Sequence, residues 1–366
     1  MMLAKIKELD DLILVEFCRE VKALSSTVYG GGLRRLTHVV FKKVSRDFND
    51  PDPSGYAESV IKKLKLPRNS TSVFLTAADI RRFCVIKELS EPLPVLSVIT
   101  AGFEPVACLG AKPRGMHEGT INVLVLVGVP LSDAALVDLA AVAASAKTAA
   151  LSSLGLGCGP GAKAVGTVSD AIVVASVVGD RMHPYAGLGT EVGSAAADLV
   201  FRSIVELGLK SLRIDDLLTS ALGMGFSDLV SAALELYLKA PVPDVDLGRV
   251  KELVSATLKD FLEDPNVWSI ILAAEELDAR GVSGCIPYLS KDEFVSDLTR
   301  IVADEVLGIS LSLYLNGFKG LFAYYWVDRI KDTITKLKSL PVFTDDVAGA
   351  LLASVLSKVY DELLKK

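Results

Sequence analysis

The chain has 366 residues, 51% of them hydrophobic, with a net charge of −6 and a mean hydropathy of +0.42. That length suits two domains better than one, and the acidic balance leaves no electrostatic footprint for nucleic acid. The hydropathy asks for a membrane span, yet Asn122 and Pro130, Ser169 and Asp170, and Asp304 with Glu305 interrupt the longest apolar windows, so no integral span is expected.

From the N-terminus, charge alternates through Lys5-Ile6-Lys7-Glu8-Leu9-Asp10-Asp11 without an apolar leader, which predicts a cytoplasmic protein. Cys18, Cys84, Cys108, Cys158 and Cys285 are scattered, form no C-x-x-C, and read as reduced thiols. Apolar alternation predicts strands over 8–17, 72–76, 82–87, 96–101, 121–127 and 171–178. Helices are predicted over 131–154, capped by Ser132 or Asp133, and from about 193 to 207. A mixed sheet with flanking helices makes this an α/β or α+β domain.

Three stretches here carry candidate chemistry. Gly30-Gly31-Gly32, followed by Thr37-His38, suits a tight turn or an anion nest. His117-Glu118-Gly119-Thr120-Ile121-Asn122 places a carboxylate, an imidazole and donors at the mouth of an apolar strand. Gly166-Thr167-Val168-Ser169-Asp170 leads directly into another strand. The tract from Gly155 to Lys163 is no phosphate-binding loop, because Lys163 follows no glycine and no Ser or Thr follows it; it reads as a flexible surface loop. None of the three histidines stands in a zinc-protease or serine-elbow motif.

Ala240-Pro241-Val242-Pro243-Asp244-Val245-Asp246-Leu247-Gly248 reads as an extended linker, because proline fixes φ and removes a donor. It divides a first domain, 1–239, from a second, 249–366, which reads as an all-α helical bundle. Helical spacing covers 247–262, 266–279 closed by Gly281, 291–314, 321–338 and 345–364.

The second domain's chemistry lies in its acids. Asp304 and Glu305 read as mid-helix carboxylates in an apolar setting, where an unpaired charge is costly and calls for a cation. Glu305, Gly308 and Ser312 share one helix face, and Asp346, Gly349, Ala350 and Ala353 another, so small residues let the two helices approach. Thr344 reads as an N-cap before Asp345 and Asp346. An all-oxygen set of Asp304, Glu305, Asp328, Asp345 and Asp346 points to Mg²⁺ or Mn²⁺, with Arg329 and Lys331 as phosphate-binding cations.

Two resemblances add to this reading. Ser25-Ser26-Thr27-Val28-Tyr29-Gly30-Gly31-Gly32, Thr37-His38, Thr76-Ala77-Ala78-Asp79, Gly119-Thr120-Ile121-Asn122, Ala146-Lys147-Thr148-Ala149-Ala150-Leu151, Gly166-Thr167-Val168-Ser169-Asp170 and Tyr185-Ala186-Gly187-Leu188-Gly189-Thr190 occur in an order that resembles the adenosylcobinamide amidohydrolase family. That resemblance implies hydrolysis of the amide between aminopropanol and the corrin ring, yielding adenosylcobyric acid. It makes an activated water the expected nucleophile, with His38 or Glu118 as base, Thr120, Asn122 and Lys147 as polarising donors, and Asp170 to orient one of them.

Asp304-Glu305-Val306-Leu307-Gly308, Val327-Asp328-Arg329-Ile330-Lys331 and Phe343-Thr344-Asp345-Asp346-Val347-Ala348-Gly349 resemble the phosphatidylglycerophosphatase A superfamily. Asp332 stands where a proline is usual, which points to the soluble branch that resembles α-ribazole-5′-phosphate phosphatase. Together the resemblances imply a bifunctional cobamide-salvage hydrolase, with adenosylcobinamide and α-ribazole-5′-phosphate as substrates and room for a homo-oligomer. Its rivals are a corrinoid carrier without turnover and a lipid phosphatase in the second half.

Overall fold

The structure, a computed structural model, describes residues 2–88, 93–111, 119–296 and 301–365. Packing divides the chain into two compact units, Met1–Leu154 with Ala164–Leu212, and Gly155–Lys163 with Arg213–Lys366.

Unit 1 is built on a mixed sheet. Its strands are β1 (Ala4–Leu9), β2 (Leu12–Ser25), β3 (Gly32–Lys43), β4 (Thr71–Thr76), β5 (Phe83–Glu88), β6 (Val95–Gly102), β8 (Thr120–Val127) and β10 (Ala171–Val177); β7 (Val106–Cys108) and β9 (Ala164–Thr167) form a separate pair. The order is β4-β3-β2-β10-β8-β6-β5, with β1 on β2; β3/β4 and β10/β8 run parallel and the other pairs antiparallel. The sheet curls until β4 meets β8, where the Asn122 Nδ2 donates to the Leu75 carbonyl at 3.3 Å.

Side-chain parity then separates two faces. Val15, Val39, Phe41, Phe74, Leu124, Leu126, Val173 and Ala175 fill the inside of the curl. On the outer face, α1 (Pro53–Lys63) buries Ala57, Val60 and Ile61 against Val40 and Val73. The helix α2 (Asp133–Ser153), N-capped by Ser132, and α3 (Glu191–Ser211), N-capped by Thr190, cover the rest of that face, with Ser203 of α3 bonded to Ser97 of β6 at 2.9 Å. Burial on both faces explains why every residue of β8 is buried and why it reads as a near-continuous apolar run.

Sequence alternation does not reveal β3. Its first half, Gly-Leu-Arg-Arg-Leu, is mostly exposed and follows the glycine turn. Gly30 has φ of 76°, and a Cβ there would meet the Thr71 carbonyl oxygen at 2.6 Å, so the turn is tight and takes glycine for both reasons.

Unit 2 contains α4 (Ile214–Leu222), α5 (Phe226–Tyr237), α6 (Leu247–Leu262), α7 (Pro265–Val282), α8 (Lys291–Val295), α9 (Ala303–Asp328) and α10 (Val342–Leu364). The central helix is α10, buried almost from end to end and packed by α4, α5, α6, α7 and α9. Ala240–Gly248 therefore lies inside unit 2, between α5 and α6. Tyr237 Oη accepts from the Val242 N–H at 3.0 Å, and Tyr360 Oη donates to the Ala240 carbonyl at 2.8 Å. Nor is the glycine tract from Gly155 to Lys163 loose. Cys158 N donates to the Ala162 carbonyl at 2.8 Å, and Lys163 is ion-paired with Glu275 and Glu276.

Two helices, α2 and α9, are long and apolar enough by length and composition to cross a membrane, which departs from the reading of interrupted windows. α9, however, is broken at Asn316 and Gly317 and folds back. A Cβ at Gly308 would touch the Tyr324 ring at 2.5 Å, whereas sixteen residues of straight helix rise about 24 Å. The break falls in the gap expected between helices over 291–314 and 321–338. Cys18, Cys84 and Cys285 are free thiols, while Cys108 and Cys158 are disulfide-bonded, against the expectation of five reduced cysteines.

Candidate functional site

At one mouth of the curled sheet, unit 1 holds a cavity of about 360 Å³. Its floor is Phe74, Thr120 and Asn122, all inside the curl and buried; its rim includes the exposed Val28, Ser45, Arg46 and Asn49. Thr120 and Ser169 share a hydrogen bond of 2.5 Å, and Ser169 Oγ also donates to the Gly119 carbonyl at 3.0 Å. On the neighbouring wall the Thr27 Oγ1 lies 2.6 Å from Ser72 Oγ and 2.8 Å from Ser25 Oγ, and donates to the Tyr29 carbonyl at 2.7 Å. Asn122, 1% exposed, spends its Nδ2 on Leu75 and leaves its Oδ1 buried without a partner.

Beside the cavity, Lys147 of α2 pairs with Asp170. Asp170 also accepts from the Ile121 N–H at 2.9 Å, the Thr167 N–H at 3.0 Å and the Thr167 hydroxyl. A Cβ on Gly166 would meet Asp170 Oδ2 at 2.6 Å and Lys147 Nζ at 2.8 Å, so only glycine fits over the pair. With both oxygens of Asp170 and the ammonium of Lys147 engaged, this network ties α2, β8 and the β9–β10 turn together.

The remaining expected residues of unit 1 fall elsewhere. His38 pairs with Glu16 and Thr71 in register, in phase with Val40 on the α1 face, opposite to the face of Asn122. Its Nδ1 is 2.9 Å from Thr37 Oγ1, and burial lowers its pKa below the usual histidine value, with Glu16 opposing. The sheet separates it from the cavity. Glu118 lies outside the described residues. Sequence reasoning assigned no role to Ser25, Thr27, Ser72 or Ser169; only their position in the motif stretches pointed to them.

In unit 2 the ligand oxygens of Asp304, Glu305 and Asp346 lie within 4.8 Å of one another. Asp304 and Glu305 occupy the first turn of α9 rather than its middle, where acids complement the helix dipole. Lys331 Nζ stands 2.6 Å from Asp345, 2.7 Å from Asp346 and 3.1 Å from Asp328, so two of the expected ligands, Asp328 and Asp345, are gathered by this lysine rather than by the trio. Arg329 is exposed, with Nη1 2.9–3.1 Å class geometry replaced by a direct bond of 3.0 Å to Tyr325 Oη.

Burial, with Glu305 adding, pushes the Asp304 carboxyl up to about 6. Burial likewise pushes Asp345 up to about 7 against the opposing pull of Lys331, and raises Asp346. Burial works to lower the Lys331 ammonium, but Asp345 and Asp346 outweigh it and hold it above the usual lysine range. The cap of α10 also differs from expectation. Thr344 sits within the first turn, and Asp278 of α7, fully buried, accepts from Phe343 N at 2.9 Å, Thr344 N at 2.8 Å and Thr344 Oγ1 at 2.5 Å. No sequence signal marked Asp278, since it caps a helix 65 residues away.

A polar-floored cavity of this size at the mouth of a mixed sheet defines unit 1 as a small-molecule-binding α/β fold. Residues 2–214, more than half of the chain, match the adenosylcobinamide amidohydrolase family, and the chain belongs to that family. It is 30% identical over 188 residues to an adenosylcobinamide amidohydrolase of Methanosarcina mazei, covering 49% of this chain and 86% of that one. Another, from Halobacterium salinarum, is 38% identical over 126 residues, covering 32% of this chain and 51% of its own. Among solved structures, the low temperature requirement C protein from Listeria monocytogenes aligns with a TM-score of 0.35 and 20% identity, over 42% of this chain and 95% of that one.

Proposed function

We propose that the chain is a cobamide-salvage hydrolase in which unit 1 cleaves the amide between the corrin ring and aminopropanol of adenosylcobinamide, and unit 2 is a divalent-cation-dependent phosphomonoesterase acting on α-ribazole-5′-phosphate. Family membership carries the first activity, and the cavity floored by Thr120 and Asn122 is the site that suits it. There the polar floor holds the scissile amide, and the Lys147–Asp170 network keeps β8 and the β9–β10 turn in place.

One observation carries the second activity: three carboxylates converge in unit 2 while Asp304 Oδ1 is buried without a partner. A hard cation fits such a donor set, so Asp304, Glu305 and Asp346 would hold Mg²⁺ or Mn²⁺. When bound, the ion supplies Lewis acidity toward phosphate and lowers the pKa of water. Lys331 balances Asp328, Asp345 and Asp346, and Arg329 adds positive charge at the surface for the phosphate.

A second reading of unit 2, a phosphatase working at a lipid surface, is favoured by the exposed Val306, Ile309, Leu313, Phe318 and Phe322 on α9. A paired assay tests these readings, with adenosylcobinamide in one reaction and α-ribazole-5′-phosphate or phosphatidylglycerophosphate vesicles in others, each with Mg²⁺ or chelator. Adenosylcobyric acid in the first, and Mg²⁺-dependent phosphate from the soluble ester, are the expected results. Binding of cobinamide without cleavage would replace the first activity by carriage, and phosphate released only from vesicles would replace the second by the lipid reading.

A further inference from the structure

We propose that the cavity of unit 1 admits the hydroxypropyl-amide arm of the corrinoid and leaves the macrocycle outside, and that Asn122 Oδ1 is the specificity-determining acceptor that reads the N–H of that arm. The inference rests on the amidohydrolase reading and adds to it which part of the substrate is enclosed and which atom recognises it.

Size makes the first half of the argument. A cavity of about 360 Å³ lies at the low end of small-molecule pockets, and a corrin ring with its full set of amide side arms is far larger. One arm, a short chain with a secondary amide and a hydroxyl, fits between the exposed rim and the buried floor. The rim residues Val28, Ser45, Arg46 and Asn49 then face the ring.

The second half turns on which end of the Asn122 amide is free. The Leu75 carbonyl can only accept, so the Asn122 atom 3.3 Å from it is the donating Nδ2, and the Oδ1 is the atom left over. That oxygen is buried, lines the cavity and has no partner. An unmet acceptor in such a place costs free energy that a ligand N–H would recover. Asn122 thus serves as an acceptor for substrate rather than as the polarising donor expected from the sequence. The adjacent Thr120–Ser169 hydroxyl pair offers further hydrogen-bonding capacity to the same arm.

The full-length protein is tested with two ring-free probes, N-(2-hydroxypropyl)propanamide and the ketone in which a methylene replaces its N–H. Binding is read by ligand-observed NMR, and competition by inhibition of adenosylcobinamide hydrolysis. The amide is expected to bind and compete, the ketone to bind about 10- to 100-fold more weakly, and Asn122→Leu to erase that difference and raise KM for adenosylcobinamide. The two probes are compared on unaltered protein, so the result does not depend on the variant folding. Equal binding of amide and ketone, or cobinamide hydrolysis with no fragment binding, would overturn this inference and leave the amidohydrolase reading standing. No hydrolysis of adenosylcobinamide at all would overturn both.

Discussion

Replacing Lys147 by methionine separates a structural lysine from a catalytic one. The side chains of Lys147 and Asp170 are each only 11% exposed, so losing the ammonium strands a carboxylate where water cannot reach it well. Breaking such a pair costs about 3–5 kcal/mol. Asp170 keeps the Ile121 N–H, the Thr167 N–H and the Thr167 hydroxyl as donors, which places the expected loss near the lower end, about 3 kcal/mol. Adding Asp170→Asn removes the stranded charge but turns an amide NH₂ toward groups that themselves donate, so it restores only part of the loss. Trp268 and Trp326 both lie in unit 2, so tryptophan fluorescence does not follow unit 1. Hydrogen exchange of the β8 and β10 amides does, and the expected outcome is faster exchange there with hydrolysis retained in the folded fraction. Unchanged protection with hydrolysis abolished would refute the reasoning and return Lys147 to the chemistry.

Other outcomes follow from the same contacts. Asp345→Asn or Glu305→Gln should abolish Mg²⁺-dependent phosphate release, as chelator should, while adenosylcobinamide hydrolysis continues; loss of both activities in a folded variant would count against independent sites. Asp278→Ala leaves three buried donors at the start of α10 unmet and should cost about 3 kcal/mol or more in urea unfolding followed by Trp268 and Trp326, whereas a cost below about 1 kcal/mol would sink the capping assignment. His38 has a folded pKa below 6.5, so the unfolded chain takes up its proton first as pH falls. The stability this contributes is present above 6.5 and lost as pH drops toward the folded value. Unfolding measured at about pH 7.5 and about pH 5 should show a smaller pH dependence in His38→Gln than in the parent, and equal dependence would refute it.

Periodicity and caps along the chain were enough for the regular elements whose partners are close in sequence. Ser132 before α2, the apolar run of β8 and the spacing of α6 follow from local chemistry, and the structure has them within a few residues of expectation. The motif order from Ser25 to Thr190 likewise pointed to the family that residues 2–214 match. Long-range pairing decided the rest. β3 needed β2 and β4 on either side to become a strand, because its exposed arginines carry no alternation of their own. Sheet parity set His38 on the face opposite Asn122, a relation absent from their spacing in the chain. α4 and α5 joined the helical unit because their buried faces pack with α6, α7 and α10, which no linker composition records. Asp278 found its donors 65 residues away at the start of α10. Local propensity acts over a few residues, whereas satisfying a buried carboxylate or covering a sheet face requires partners that only the folded chain brings together.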